Sequence, residues 1–227
     1  MKAILFDFGG TIDTDGVHWS EQYWELYERF WVGLSKAEFE KSFVESEIRL
    51  NANPEVARMT FYETIREQLT IQFGILGLHN RKLVLTAMLD ECYAGVSETI
   101  LRARGLLKQL QTKYRLAVVS NFYGNLEIVC KEFDLYRLFD AIVDSTVVGK
   151  RKPDPEVFNI ALKTLDIAPT NAFVVGDSYD RDIVPGKQLG CKTIWLKGKS
   201  WGLPDTVEAA DFTVGRFEEI RRILLPS

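Results

Sequence analysis

The sequence predicts an α/β fold, a doubly wound parallel sheet interrupted by an all-helical insertion. Short unbroken apolar runs (AILF, LAVVS, AIV, AFVVG and KTIWL) recur along the chain and read as strands buried on both faces. Helical patterns lie between the later runs, which is the alternation a parallel sheet requires. The stretch from about Thr14 to Glu98 breaks that rhythm with long helical patterns and no convincing strand.

The first strand is Ala3 to Phe6. In the insertion, Trp19, Tyr23, Tyr27 and Trp31 recur at four-residue spacing, and Trp24 and Phe30 widen the apolar surface, so these aromatics are expected to pack inside it. Helical spacing from Ile100 to Tyr114 returns the chain to the sheet. Strands then follow at Leu116 to Ser120, Ala141 to Val143, Ala172 to Gly176 and Lys192 to Leu196. Helices are expected at Tyr123 to Phe133, Pro155 to Leu165 and Asp182 to Leu189. The division is thus a core of residues 1–13 and 99–227 around a helical domain of residues 14–98.

A chain of 227 residues with 46% hydrophobic composition has ample core. Its formal net charge of −4, with both signs interspersed, makes nucleic acid an unexpected partner. Cys92, Cys130 and Cys191 are odd in number and widely spaced, suggesting neither a disulfide framework nor a thiolate metal site, and a reducing cytoplasm is the expected compartment. No apolar run approaches the length of a membrane span, so a soluble protein without membrane partners is expected.

Ligands of open α/β sheets collect beyond the carboxyl ends of the strands. Asp7 follows AILF, Ser120 and Asn121 close LAVVSN, and Asp177 follows FVVG. Lys150 and Lys152 precede a Pro-Asp-Pro segment in which Asp154 is a candidate helix cap and Pro155 a first helical residue. Held by that segment, a lysine can neutralise a carboxylate and an incoming anion. Asp177, Asp180 and Asp182 crowd one turn, and hard oxygen ligands at a strand end suit Mg²⁺. Asp180 reads as a solvated turn residue, and Asp182 as a metal-site residue secondary to Asp177.

Four ordered segments resemble the haloacid dehalogenase-like hydrolase superfamily across almost the whole chain: DFGGT at Asp7 to Thr11, SN at Ser120 and Asn121, KPDP at Lys152 to Pro155, and GDSYDRD at Gly176 to Asp182. The resemblance implies an α/β core with a helical cap inserted between the first and second motifs. It makes Asp7 the nucleophile of an aspartyl intermediate, with Ser120 and Lys152 as catalytic partners. Thr11, Ser120, Asn121 and Lys152 become the phosphate-binding residues. Mg²⁺ would be held by Asp7, the Gly9 carbonyl and Asp177, with Asp182 supporting it through water or Lys152.

Gly9 departs from the pattern, because phosphatases of this family usually carry a second Asp there for proton transfer. A positioned acid–base group is worth about 10²- to 10⁴-fold in rate. The expected activity is therefore Mg²⁺-dependent hydrolysis of a small phosphorylated metabolite, slow on poor leaving groups, by a monomer or homodimer. Asp13, Asp15 and His18 lie near the first motif without an assigned catalytic part, and His79 reads as a loop residue. Family dehalogenases also lack the second Asp, which keeps carbon–halogen hydrolysis as an alternative, although they typically lack the full acidic last motif. Phosphonate cleavage would need a cap lysine, for which Lys36 and Lys41 are available without a supporting motif. A catalytically weakened phosphate-binding or regulatory protein is the third alternative.

Overall fold

The computed structural model describes residues 1–30, 32–200 and 210–226, so Trp31 lies outside the described residues. The sheet holds β1 (Ala3–Phe6), β2 (Arg115–Ser120), β3 (Ala141–Asp144), β4 (Ala172–Gly176), β5 (Lys192–Leu196) and β6 (Phe212–Val214). Among the described residues these form one sheet in the order β3-β2-β1-β4-β5-β6, every pair parallel. The order reverses between β1 and β4, the switch point at which such sheets open a crevice for ligands.

Successive side chains of each strand go to opposite faces. Ile4, Phe6, Leu116, Val118 and Val175 join the larger core with Leu106, Leu107 and Leu110. Ala3, Leu5, Ala117, Val119 and Val174 pack on the other face against Val157, Phe158, Ala161 and Leu162 of the helix Glu156–Leu165. Both faces are therefore dry, which is why the strands lack polar alternation.

Between β1 and β2 come α1 (Trp19–Arg29), α2 (Lys36–Ala52), α3 (Phe61–Ile75) and α4 (Lys82–Leu110). Capping boxes at Ser35 with Glu38 and at Thr60 with Glu63 start α2 and α3. The spacing that suggests a helix from Ile100 belongs to α4, which begins at Lys82, runs unbroken through residues 98 and 99, and ends at Leu110. At 29 residues it is about 44 Å long, reaching from the helical insertion to the sheet. No described helix is long and apolar enough to cross a membrane.

The remaining helices are α5 (Leu126–Glu132), α6 (Ser145–Val148), α7 (Glu156–Leu165), α8 (Val184–Gln188) and α9 (Ile220–Leu224). The helix expected from Asp182 divides into a π-helical turn, Tyr179–Ile183, and α8. Asp154 does accept from the Glu156 N–H at 2.9 Å, but α7 starts one residue after Pro155. Strand β6 gives little sequence signal because it is short and Phe212 and Thr213 are exposed.

Leu5 is fully buried in the central strand. Leu5→Ala is expected to cost about 2–5 kcal/mol, read from the urea midpoint, and an unchanged midpoint would contradict its place in the packed face.

Candidate active site

Register brings the polar strand ends together. Phe6 is aligned with Val118 and with Val175, so Asp7, Ser120 and Asp177 emerge at the same edge of the sheet. One ligand atom each from Asp7, Asp177 and Asp182 lies within 4.8 Å of the others, and all three residues are buried.

Lys152 enters this cluster with its side chain almost wholly enclosed. Its Nζ donates to Asp7 Oδ1 at 2.5 Å and to Asp182 Oδ1 at 2.6 Å. Ser120 Oγ donates to the same Asp7 oxygen at 3.0 Å. Asn121 uses its side chain on the main chain of Lys152, donating to its carbonyl at 3.0 Å and accepting from its N–H at 2.9 Å. That bracket fixes where the ammonium stem begins, a part the sequence does not disclose. Thr11, expected at the phosphate, is fully buried behind the carboxylates. Its hydroxyl lies 3.4 Å from Asp7 Oδ2 and 3.3 Å from Asp177 Oδ1, and accepts from the Asp177 N–H at 3.1 Å. Lys150 instead forms an exposed pair with Asp154, and Asp180 is exposed.

Two glycines make room for this crowding. A Cβ on Gly10, whose φ is +94°, would strike the Asp177 carboxylate, and one on Gly176 would strike Asp182. Asp182 is thereby pressed against the main chain, where its Oδ2 accepts from Ser178 N–H at 3.1 Å. Trp195 braces the other acid by donating Nε1 to the Asp177 carbonyl at 2.8 Å.

One ammonium stands against three carboxylates. Burial, followed by the charges of Asp7 and Asp182, pushes the Asp177 carboxyl well above the usual carboxylate range. Burial raises Asp182 to about 6 despite its bond to Lys152. Lys152 is held above the ordinary lysine value by the charges of Asp182 and Asp7, which outweigh its own desolvation. A surplus of buried, hard, anionic oxygens is the donor set that suits a divalent cation.

Gly9 opens on Trp19. A Cβ at residue 9 would stand 3.7 Å from both Cδ1 and Nε1 of the indole, so the ring borders the space a second acid would enter. The indole is pinned by its Nε1 donating to Asp13 Oδ2 at 2.8 Å, while Asp13 Oδ1 accepts from Gly10 N–H at 2.8 Å. Asp13 is fully buried, and burial raises its carboxyl to about 7. It is thus a brace for the motif loop, reachable from sequence only as an acid near the first motif. Asp15 accepts from Phe217 N–H at 2.6 Å.

A cavity of about 620 Å³ opens over the cluster between the strand ends and the helical insertion. Asp7, Gly9, Ser120, Asn121, Lys152 and Asp177 form its base, and His18, Trp19 and Tyr23 contribute from the start of α1. Tyr27 is core, as the aromatic spacing suggests, whereas Trp19 and Tyr23 serve both core and cavity. His18 caps α1 through its ring, which accepts from Ser20 N–H at 3.2 Å. His79 sits in the turn before α4, and neither Lys36 nor Lys41 is on the cavity wall. Cys92, Cys130 and Cys191 are buried and free.

A family model described as haloacid dehalogenase-like hydrolase matches residues 1–190. The glyceraldehyde 3-phosphate phosphatase of Methanocaldococcus jannaschii is 25% identical over 97% of this chain and 95% of its own. The N-acylneuraminate-9-phosphatase of Rattus norvegicus is 26% identical over 91% and 86%. The chain matches less of other relatives, 60% of the length of the Pyrococcus furiosus glyceraldehyde 3-phosphate phosphatase, with 27% identity over 66% of this chain. Among solved structures, the HAD-hydrolase YfnB of Bacillus subtilis, bound to magnesium, aligns with a TM-score of 0.59 at 21% identity over 98% of both chains. The L-2-haloacid dehalogenase of Xanthobacter autotrophicus aligns at 0.63 and 18% identity, over 100% of this chain and 99% of its own, which shows a shared fold. With a family match spanning most of its length and an acidic cluster at the switch point of the sheet, the chain belongs to the haloacid dehalogenase-like hydrolases.

Proposed function

We propose that the protein hydrolyses a small phosphate monoester through an aspartyl-phosphate intermediate on Asp7, with Mg²⁺ as its cofactor. The observation that carries this reading is the surplus of buried carboxylate around a single ammonium, Asp7, Asp177 and Asp182 against Lys152. The phosphatase names of relatives matched along most of the chain also support it.

Asp7, Asp177 and the Gly9 carbonyl would hold Mg²⁺, and Asp182, with both oxygens engaged by Lys152 and Ser178, would support the site from outside. Bound there, the cation supplies neutralisation of the carboxylates and of the phosphoryl oxygens. Lys152 and Ser120 converge on Asp7 Oδ1. Among the described residues Oδ2 meets only the long approach of Thr11, so its lone pairs remain for attack. An Asp7 oxygen bonds to phosphorus while the bond from phosphorus to the ester oxygen breaks, and the departing alkoxide takes its proton from solvent water. Water then attacks the phosphorus of the acyl phosphate and gives up a proton to solvent, the bond from phosphorus to the Asp7 oxygen breaks, and orthophosphate and the Asp7 carboxylate are released. Lys152 and Ser120 orient the nucleophile and meet the charge that spreads over the phosphoryl oxygens. No side chain at residue 9 delivers the proton, so the first step should depend steeply on the leaving group.

Carbon–halogen hydrolysis by the same Asp7 is the second reading, favoured by the bare Gly9 facing an indole. It requires halide release without a divalent ion.

With p-nitrophenyl phosphate we expect turnover that needs added Mg²⁺ and disappears in Asp7→Asn; metal-independent halide release with no phosphate release would favour the second reading. Alkyl phosphates should lag p-nitrophenyl phosphate by about 10²-fold or more in kcat, whereas equal rates would remove the claim that proton transfer is limiting. Gly176→Ala, by displacing the buried Asp182 from Lys152, should lower kcat by ~10² and lower the unfolding midpoint as well; full activity with an unchanged midpoint would show that Asp182 need not be held there.

A further inference from the structure

Above the acidic cluster the cavity wall is largely apolar, with Phe43 and Ile48 of α2 and Phe61 and Ile65 of α3. One polar chain crosses it. Glu47 Oε1 on α2 accepts from Gln68 Nε2 on α3 at 2.6 Å and from the Tyr123 hydroxyl at 2.8 Å. Gln68 Oε1 in turn accepts from the Tyr23 hydroxyl of α1 at 3.1 Å. Glu47, Gln68, Tyr23 and Tyr123 all border the cavity.

The direction of these bonds follows from the chemistry of the groups. An ionised carboxylate carries no proton, so Gln68 must turn its amide N–H₂ towards Glu47 and leave its oxygen for Tyr23. Each tyrosine has one hydroxyl proton and spends it inward. What the network leaves over is acceptor capacity, concentrated on a carboxylate that is half-buried and faces the cavity.

The neighbouring turn of the same helices provides an internal comparison. There the Tyr27 hydroxyl donates to Gln72 Oε1 at 3.0 Å, and Gln72 Nε2 donates to Ser46 Oγ at 3.1 Å. Ser46 passes its own proton to the Phe43 carbonyl at 2.7 Å, and the whole rung is buried. A tyrosine–glutamine rung between α1 and α3 can therefore be closed by a serine. The rung at the cavity ends on a carboxylate instead, although burial disfavours its charge. Bonds from Tyr123 and Gln68, and the charges of Arg151 and Arg181, offset part of that cost, and the carboxyl stays above its ordinary value.

Resting on the phosphate-monoester reading, we infer that Glu47 is the specificity-determining acceptor for the alcohol part of the substrate, and that this alcohol bears hydroxyl groups, as a polyol or sugar does. A plain hydrocarbon chain would leave the acceptor capacity that Gln68 and Tyr123 do not use facing the cavity unmet. A cationic group would meet Arg151 and Arg181, which border the same cavity. A hydroxyl supplies the donor without the charge. Gln68, Tyr23 and Tyr123 are positioning residues that act through Glu47.

The test compares kcat/KM for open-chain polyol phosphates of three to six carbons with n-alkyl phosphates of the same length. Both series leave as primary alkoxides; hydroxyls near the ester make the polyol the somewhat better leaving group, and that difference cancels when the ratio is compared between the wild type and Glu47→Leu. For the wild type, a polyol should exceed its alkyl counterpart on the order of 10- to 100-fold. Glu47→Leu should bring the ratio towards one, and Glu47→Gln should restore part of it; loss of folded protein alone lowers both series together. A ratio near one in the wild type, or one that Glu47→Leu does not change, overturns the inference. Failure of p-nitrophenyl phosphate to turn over would instead count against the phosphatase reading. In that case calorimetric binding of glucitol 6-phosphate and n-hexyl phosphate to the wild type and Glu47→Leu decides the inference by the same ratio.

Discussion

The ammonium of Lys152, enclosed between Asp7 and Asp182, is the interaction on which the site depends. Burying an ion costs several kcal/mol unless partners surround it, and removing one partner leaves the other stranded. Here one cation answers two anions directly while Asp177 stands beside them. The arrangement persists because the surroundings leave few alternatives. Asn121 brackets the Lys152 main chain, Gly10 and Gly176 let the carboxylates approach the backbone, and the parallel register delivers the strand ends to one level. The same crowding that is costly for the fold is what suits the cluster to a divalent cation.

The helical insertion completes the site by shaping what lies above it. Asn125, at the start of α5, donates both to the Met59 carbonyl and to Thr64 Oγ1 at 2.9 Å, tying the insertion to the sheet beside the cavity. Helix α4 runs from one region into the other as a single rod. Trp19 then closes the flank at Gly9, braced by Asp13, and the rung ending at Glu47 gives the far wall its polarity. In the proposed reading, nucleophile chemistry and leaving-group recognition come from different parts of the chain.

Much of the core was legible in the sequence because strands buried on both faces are written as unbroken apolar runs. Five of the strands in the sheet are recognisable that way, whereas β6 is an edge of three residues with an exposed Phe and Thr. The acidic and lysine positions stood out because polar residues at strand ends are chemically conspicuous. Their partners did not: Asn121 reads as a pocket residue, and only the fold shows its amide spent on Lys152. Trp19 has the spacing of a core aromatic, and nothing local says that its indole borders Gly9 across the loop. Glu47 resembles any acid on an exposed helix face until α1 and α3 bring Tyr23 and Gln68 to it. Contacts between helices distant in sequence carry no periodic signal, which is why the base of the cavity could be read and its roof could not.

The central claim is that phosphorus becomes bonded to Asp7. The most direct measurement is borohydride trapping during turnover of p-nitrophenyl phosphate with Mg²⁺, followed by mass spectrometry of the peptide that contains residue 7. We expect reduction of the acyl phosphate to homoserine at that position, dependent on substrate. Phosphate release with Asp7 unmodified, or trapping at another residue, would contradict the claim.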